Sequence, residues 1–434
     1  MAATASMNGR PHGEGIETTE LLRFATAGSV DDGKSTLIGR LLHDAKSILA
    51  DQLAHVKETS ERRGDGELNL ALLTDGLRAE REQGITIDVA YRSFQTDKRR
   101  FIIADCPGHE QYTRNMVTGA STADLSLVLV DARNGLVRQS RRHAAISALL
   151  RTPHLVVCVN KMDLVDYDQS VFDAIVADFK AWSEPIADFS EITFIPISAL
   201  KGDNVVEGSS NTPWYDGPTL LRHLETVEIA GDRNLADWRF PVQWVVRPQN
   251  DERHHDYRGY AGQVVGGVIT PGEEVVVLPS GRTTRVASID TLDGPLDAAF
   301  PPQSVTLLLE DDLDVSRGDM IARPSDQPTV ARELEAVVCW MSDQPLQARG
   351  KYAIKHTTRA VRGIVEGIDW RLDVETLDRE PADGGLSLNE IGHVKLKLSG
   401  PLAFDSYERN RETGSFILID EATNDTVGAG LIVR

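Results

Sequence analysis

Short apolar runs separated by amphipathic stretches organise the first half of the chain. The runs are Leu21–Ala27, Phe101–Asp105, Leu125–Asp131, His154–Asn160 and Ile192–Ile197. Each is strand-length and mostly aliphatic, so each reads as a buried β-strand. Between them, Gln139–Leu150 and Ser170–Trp182 repeat apolar residues at helical spacing. This alternation predicts a parallel sheet covered by helices, with ligand loops at the carboxyl ends of the strands. Near Asp232 the pattern changes. Phe240–Val246, Gly262–Ile269, Glu273–Leu278, Thr283–Ile289 and Ser304–Leu309 are short strand-like runs separated by turns such as Thr270-Pro271-Gly272 and Pro279-Ser280-Gly281. A second such series comprises Leu334–Met341, His393–Leu398, Ser415–Asp420 and Thr426–Val433. Each series reads as a small β-barrel. The expected division is a tail over residues 1–20, an α/β domain over 21–235, and barrels over 236–328 and 329–434.

Composition narrows the class. At 434 residues the chain is too long for a single ordinary core. No apolar stretch is long enough to span a bilayer, and Met1–Glu20 lacks the apolar core of a signal peptide. The three cysteines, Cys106, Cys158 and Cys339, have no zinc or redox spacing, which fits a reducing cytoplasm. A net charge of −20 disfavours an extended nucleic-acid interface.

Chemistry enters with Gly28-Ser29-Val30-Asp31-Asp32-Gly33-Lys34-Ser35, which lies between the first strand and a helical stretch from Thr36. Strand, G-x-x-x-x-G-K-S loop and helix form the context a phosphate cradle requires. Gly28 and Gly33 let backbone N–H groups turn inward, and the helix N-terminus adds positive potential. Lys34 is expected on the β- and γ-phosphates and Ser35 on Mg²⁺. Asp105-Cys106-Pro107-Gly108-His109 ends the second run. There Asp105 is a Mg²⁺ candidate, Gly108 admits a γ-phosphate, and His109 is expected to orient the attacking water. Alone, D-x-P-G is an ordinary turn; its distance from Lys34 and its place at a strand end give it meaning.

Asn160-Lys161-Met162-Asp163 ends the fourth run. An Asp163 carboxylate pairs with the N1–H and amino group of guanine, a donor pair that adenine lacks, and so selects GTP. Asn160 is expected to tie this loop to the phosphate loop, and Lys161 to lie over the base. Ser198-Ala199-Leu200 follows the last run, with the Ala199 N–H a candidate donor to guanine O6. Thr86, in Glu80–Ile87, is expected to close on Mg²⁺ when a γ-phosphate is present and to release on hydrolysis. The fold class is therefore an α/β P-loop GTPase domain followed by two small antiparallel β-barrels.

Four signals in this order resemble the translation-factor-like GTPases. Finer detail is similar to one branch, the large GTPase subunit of bacterial sulfate adenylyltransferase. Gly28–Leu42, Gln83–Arg92, Pro107–Met116, Asn410–Asp420 and Thr426–Gly430 carry that resemblance. Elongation factor Tu instead has histidines after the first glycine and before the second, where this chain has Ser29 and Asp32. The resemblance implies GTP and Mg²⁺ as cofactors and a separate small catalytic subunit as partner. That subunit joins sulfate to the AMP part of ATP, an uphill reaction coupled to GTP hydrolysis in this chain. No second loop of this type follows Lys34, so the kinase activity some members carry in a fused domain is not expected. No nucleic-acid or membrane partner is expected. The alternative, an elongation-factor-type GTPase delivering aminoacyl-tRNA, has the shared architecture behind it but not the branch-specific residues.

Overall fold

A computed structural model of the chain describes residues 20–46, 70, 88–109, 112–186, 189, 191–229, 234–248 and 257–434. Thr86 and the rest of 80–87, and all of the expected N-terminal tail except Glu20, lie outside the described residues. Glu20 belongs to the fold, since its carbonyl accepts the Arg100 N–H at 3.0 Å.

The first sheet contains β1 (Leu21–Gly28), β2 (Ala90–Gln95), β3 (Arg100–Asp105), β4 (Leu125–Asp131), β5 (His154–Asn160) and β6 (Glu191–Pro196), in the order β2-β3-β1-β4-β5-β6. Five strands are parallel, as the alternating pattern requires. The expected all-parallel sheet is corrected at one edge, where β2 runs antiparallel to β3. The reason is local: Thr96 N donates to Arg99 O at 2.9 Å, closing a hairpin too short for a crossover.

Helices cover both faces. Helices α1 (Lys34–Asp44) and α5 (Leu220–Thr226) pack Leu37, Leu41 and Leu224 with Phe24, Leu127, Leu129 and Cys158. On the other face, α2 (Thr113–Ala120), α3 (Arg138–Leu149) and α4 (Gln169–Ser183) bring Met116, Ile146 and Phe172 onto Ala25, Val128 and Val157. Burial on both faces explains why these strands read as continuous apolar runs rather than alternating ones.

The middle sheet comprises β7 (Arg239–Val246), β8 (Gly259–Gln263), β9 (Glu274–Leu278), β10 (Arg282–Thr291), β11 (Gly294–Pro295), β12 (Ser304–Leu309) and β13 (Met320–Ala322). Pairing of β9 with β10 closes six of these strands into an antiparallel barrel, with β11 appended to β10. The run expected over Gly262–Ile269 is regular strand only to Gln263; it keeps a bridge from Gly266 to Arg239 and then turns at Gly267, φ 66°, against the Trp238 backbone. The last sheet comprises β14 (Thr329–Trp340), β15 (Lys351–His356), β16 (Arg359–Leu372), β17 (Arg379–Pro381), β18 (Ile391–Phe404), β19 (Ser415–Ile419) and β20 (Thr426–Ile432). It too closes into a six-stranded antiparallel barrel, through β15 and β16, with β17 on the edge of β16.

The connections between these units are polar and apolar together. Arg239, fully buried at the start of β7, donates from Nε and a terminal nitrogen to both Asp405 oxygens at 2.8 Å. Its other terminal nitrogen donates to the Asp326 carbonyl at 2.8 Å, so one guanidinium fastens barrel to barrel. Tyr407 Oη donates to Leu150 O at 2.8 Å, and Arg411 donates to Ser121 O, at the end of α2, at 3.1 Å. Val117, Ile146 and Leu149 pack there against Cys339, Ile391 and Leu431. The start of the Asn410–Asp420 stretch noted in the sequence thus lies where all three units meet, with Asn410 Nδ2 donating to Val265 O at 3.3 Å.

Candidate functional site

The phosphate loop leaves the carboxyl end of β1 and enters α1 through Gly33, at φ 93°. A Cβ at Gly33 would sit 2.5 Å from Asn160 Nδ2, so both conformation and space require glycine. Because α1 begins at Lys34, its first-turn N–H groups have no carbonyl four residues back to meet. They are the donors an anion would use.

Lys34 is buried at 7% exposure, and its Nζ donates to Gly28 O and Ser29 O, both at 2.8 Å. An ammonium has three N–H bonds, so a third remains after these two. Burial lowers the Lys34 pKa, opposed by the carboxylates of Asp32 and Asp105. A Cβ at Gly108 would collide with Lys34 Nζ and lie 2.7 Å from Gly28 O, which fixes glycine at that position. The Asp105–His109 turn therefore lies directly across the phosphate loop, as β1–β3 pairing of Thr26 with Asp105 dictates.

Asp105 is buried at 1% exposure and accepts from Thr26 Oγ1 at 3.2 Å. Cys106 and Pro107 are buried beside it, and burial pushes the Cys106 thiol up, so it stays a thiol. His109 is half-buried, with its ring 6.0 Å from that of Tyr112 and its carbonyl accepting the Tyr112 N–H at 3.0 Å. Ser35, in the first turn of α1, makes no side-chain hydrogen bond among the described residues. The Ser35 hydroxyl and the buried Asp105 carboxylate are hard-oxygen donors, the kind that Mg²⁺ takes. The donor chemistry fits the ion.

Asn160 joins the two halves of the site. It is 2% exposed at the end of β5; its Nδ2 donates to Asp32 O at 2.7 Å and its Oδ1 accepts the Ala199 N–H at 2.9 Å. One side chain thereby links the phosphate loop with Ser198-Ala199-Leu200. The Ala199 N–H, expected to face a base oxygen, is taken by Asn160 in this structure. Ser198 is buried, its Oγ accepting the Lys201 N–H at 3.2 Å, and Leu200 is exposed. Lys161 stands at φ 64° before a 3₁₀ turn, Met162–Val165, that buries Met162 and leaves Asp163 half-exposed. Lys161 Nζ donates to Asp31 O and, at 2.9 Å, to Asp131. Its ammonium is thus anchored back on the phosphate loop. Val30 and Asp31 are exposed at the tip of that loop, and Asp32 is buried under it.

Sequence reasoning missed three supports of this site. Asp131, at the end of β4, accepts from Arg133 Nε at 3.0 Å and Lys161 Nζ at 2.9 Å. Burial pushes its pKa up, but the bonds from Arg133 and Lys161 outweigh that and hold it well below the ordinary carboxylate range. Arg40, on α1, donates from Nε to Ala199 O at 3.2 Å and from a terminal nitrogen to Leu200 O, fastening the base loop from behind. Tyr167 Oη donates to Asp203 at 2.6 Å, bracing the segment that follows. An acidic residue at a strand's carboxyl end was a readable signal for Asp131; nothing in the spacing marked Arg40 or Tyr167. No helix among the described residues is long and apolar enough to cross a membrane.

With this geometry in hand, comparison with known proteins is specific. The Elongation factor Tu GTP binding domain family matches residues 19–230, and the GTP-eEF1A C-terminal domain-like family matches residues 333–433. The chain is 60% identical over 417 residues to a Bifunctional enzyme CysN/CysC of Mycobacterium tuberculosis, covering 96% of this chain and 68% of that protein. It is 53% identical over 419 residues to Sulfate adenylyltransferase subunit 1 of Alteromonas mediterranea, covering 96% of this chain and 88% of that protein. A solved structure of sup35 complexed with GMPPNP is similar at TM-score 0.43 and 23% identity, covering 96% of this chain and 94% of that chain. The chain belongs to the sulfate adenylyltransferase subunit 1 family and carries an elongation-factor-Tu-type GTP-binding domain.

Proposed function

We propose that this chain is the GTP-hydrolysing, energy-coupling subunit of a cytoplasmic sulfate adenylyltransferase. It works with a separate small catalytic subunit that converts ATP and sulfate to adenylyl sulfate and pyrophosphate. The observation that carries the nucleotide assignment is Asn160, which holds the phosphate loop and the Ser198–Leu200 loop in one frame. The working division is a GTPase domain over residues 21–235 and barrels over 236–328 and 329–434.

In this reading the backbone of Gly28–Ser35 and the third N–H of Lys34 hold the β- and γ-phosphates. Ser35, Asp105 and Thr86 hold Mg²⁺, which when bound neutralises charge on the phosphate oxygens. Gly108 admits the γ-phosphate, and His109 orients the water whose oxygen attacks it while the β–γ bridging oxygen leaves with GDP. Asp163 accepts from guanine N1–H and N2–H, and the Lys161 stem covers the base. Arg40 and Asn160 keep Ser198-Ala199-Leu200 beside it. The contacts of Tyr407 and Arg411 with Leu150 and Ser121 link the last barrel to the helices after His109. A change at the γ-phosphate can then bias how the barrels sit against the nucleotide domain, and hence the partner. Delivery of aminoacyl-tRNA has less support, because relatives matched over 96% of the chain are named as the adenylyltransferase subunit.

Reconstitution tests the reading. The chain is mixed with the small adenylyltransferase subunit, ATP and sulfate, and adenylyl sulfate is measured with and without GTP. Synthesis that requires GTP, and that is lost in Lys34→Ala, is expected. Synthesis indifferent to GTP, or tight binding of aminoacyl-tRNA without any effect on synthesis, would overturn it.

A further inference from the structure

Ser29 and Asp32 occupy the phosphate-loop positions where elongation factor Tu has histidines, and the proposed function gives Asp32 no particular task. Asp32 is 5% exposed. Its Oδ2 accepts the Ser29 N–H at 2.5 Å, and its own N–H donates to Ser29 O at 3.3 Å. These two bonds close residues 29–32 into one turn. Asn160 Nδ2 fixes the Asp32 carbonyl from outside, at 2.7 Å, and a Cβ on Gly28 would lie 3.3 Å from Asp32 Oδ2. The carboxylate therefore sits inside the loop with one backbone N–H as partner. Among the described residues no ion pair reaches it. The charged groups facing it are Lys34 from α1, Asp131 from the end of β4 and Lys161 from the turn after β5. Lys34 Nζ is committed to two carbonyls, and Lys161 Nζ to Asp131 and the Asp31 carbonyl.

We propose that Asp32 is a positioning residue of the phosphate loop, closing it on the Ser29 N–H and taking up a proton when nucleotide phosphates enter. The inference rests on nucleotide binding at this loop. A carboxylate in its ionised form repels incoming phosphates; in its neutral form it does not. Burial already pushes Asp32 up to about 6, with Asp131 adding to the rise and Lys34, the Ser29 N–H and Lys161 opposing it. Phosphate charge raises it further. The proton comes from solvent onto one carboxylate oxygen, and the other oxygen keeps accepting the Ser29 N–H. The turn stays closed, so binding is charge-compensated without loss of loop shape. An empty loop at neutral pH holds mostly ionised Asp32 and a filled one mostly neutral Asp32, so affinity rises as pH falls from 8 to 6.

Calorimetric titration of the full chain with GDP, in two buffers of different ionisation enthalpy at pH 7, reads the proton directly. The wild-type chain is expected to take up about half a proton per GDP, and its affinity to rise several-fold between pH 8 and pH 6. Asp32→Asn keeps an oxygen for the Ser29 N–H but cannot titrate. It is expected to take up no proton at Asp32 and to bind several-fold more tightly than wild type at pH 8. Asp32→Ala loses the acceptor and is expected to bind about tenfold more weakly at every pH. Nucleotide binding by wild type with no proton uptake, or uptake unchanged in Asp32→Asn, overturns the inference while leaving the proposed function standing. Absence of any guanine-nucleotide binding by the wild-type chain overturns the proposed function itself. Should Asp32→Ala not fold, Asp32→Asn still decides the matter.

Discussion

Replacing Asn160 by Ala removes the side chain that, among the described residues, spans the phosphate loop and the Ser198–Leu200 loop. The substitution strands two buried groups: the Asp32 carbonyl, which loses its 2.7 Å donor, and the Ala199 N–H, which loses its 2.9 Å acceptor. Each unpaired buried group costs about 1–3 kcal/mol, less where water enters the space left by the amide. A total of about 2–4 kcal/mol is therefore expected, divided between stability of the nucleotide domain and nucleotide affinity. If half falls on binding, GDP affinity drops about 5- to 30-fold. Calorimetry gives the affinity, and the thermal midpoint of the nucleotide domain gives the rest. Asn160→Asp sharpens the test. It retains an acceptor for Ala199 but sets a carboxylate oxygen against the Asp32 carbonyl, so it should bind at least as weakly as Asn160→Ala. Affinity within twofold of wild type in both variants, with an unchanged midpoint, would refute the claim that Asn160 organises the site.

Three further perturbations have definite outcomes. His109→Ala should slow GTP hydrolysis about 100-fold and spare GTP affinity, as measured by single-turnover kinetics beside equilibrium binding; a parallel loss of affinity would remove His109 from water orientation. Arg239→Ala leaves the buried Asp405 carboxylate without its bidentate partner and should destabilise the docked barrels by about 3–5 kcal/mol, seen as a lowered melting midpoint, whereas Arg239→Met with Asp405→Leu should recover much of it. His143, fully buried in α3 beside Gln139 Nε2, is held down to about 3 by burial and by the charges of Lys34 and Arg142. The unfolded chain binds a proton there below about pH 6.5 and the folded chain does not, so this contribution to stability is complete above that pH and is lost as pH falls toward 3. His143→Gln should flatten the fall of melting midpoint between pH 6.5 and 4, and an unchanged slope would contradict the assignment.

What the sequence exposed and what it hid follow from the same physics. The strands β1, β4 and β5 are buried on both faces, so their apolar runs mark them without help from context. The phosphate loop was legible because Gly33 and Lys34 are fixed by geometry that few other sequences satisfy. By contrast β16 was invisible. It is a 14-residue strand whose exposed positions include Arg362, Glu366 and Asp369, and whose fully buried apolar side chain is Val365. The edge strand β2 escaped for a related reason: Tyr91 is exposed and only Phe94 is fully buried, so no apolar run announces it. Long-range supports were hidden altogether. Arg40 meets Ala199 and Leu200 across about 160 residues, a partnership that local pattern does not encode. The Asn410–Asp420 stretch stood out as one of those that carry the family resemblance, yet only the structure gives its first residues a place, at the meeting of the nucleotide domain and both barrels.

The central claim is that the nucleotide site of this chain drives sulfate activation in a partner. Asp163→Asn tests it most directly. An Asp carboxylate accepts from the guanine amino group, whereas an Asn amide can donate to the carbonyl that xanthine carries at that position. In the reconstituted complex with ATP and sulfate, wild type should make adenylyl sulfate with GTP and not with xanthosine triphosphate. The variant should reverse that preference, making adenylyl sulfate with xanthosine triphosphate and little with GTP. A variant that still runs on GTP, or synthesis that ignores both nucleotides, would contradict the account.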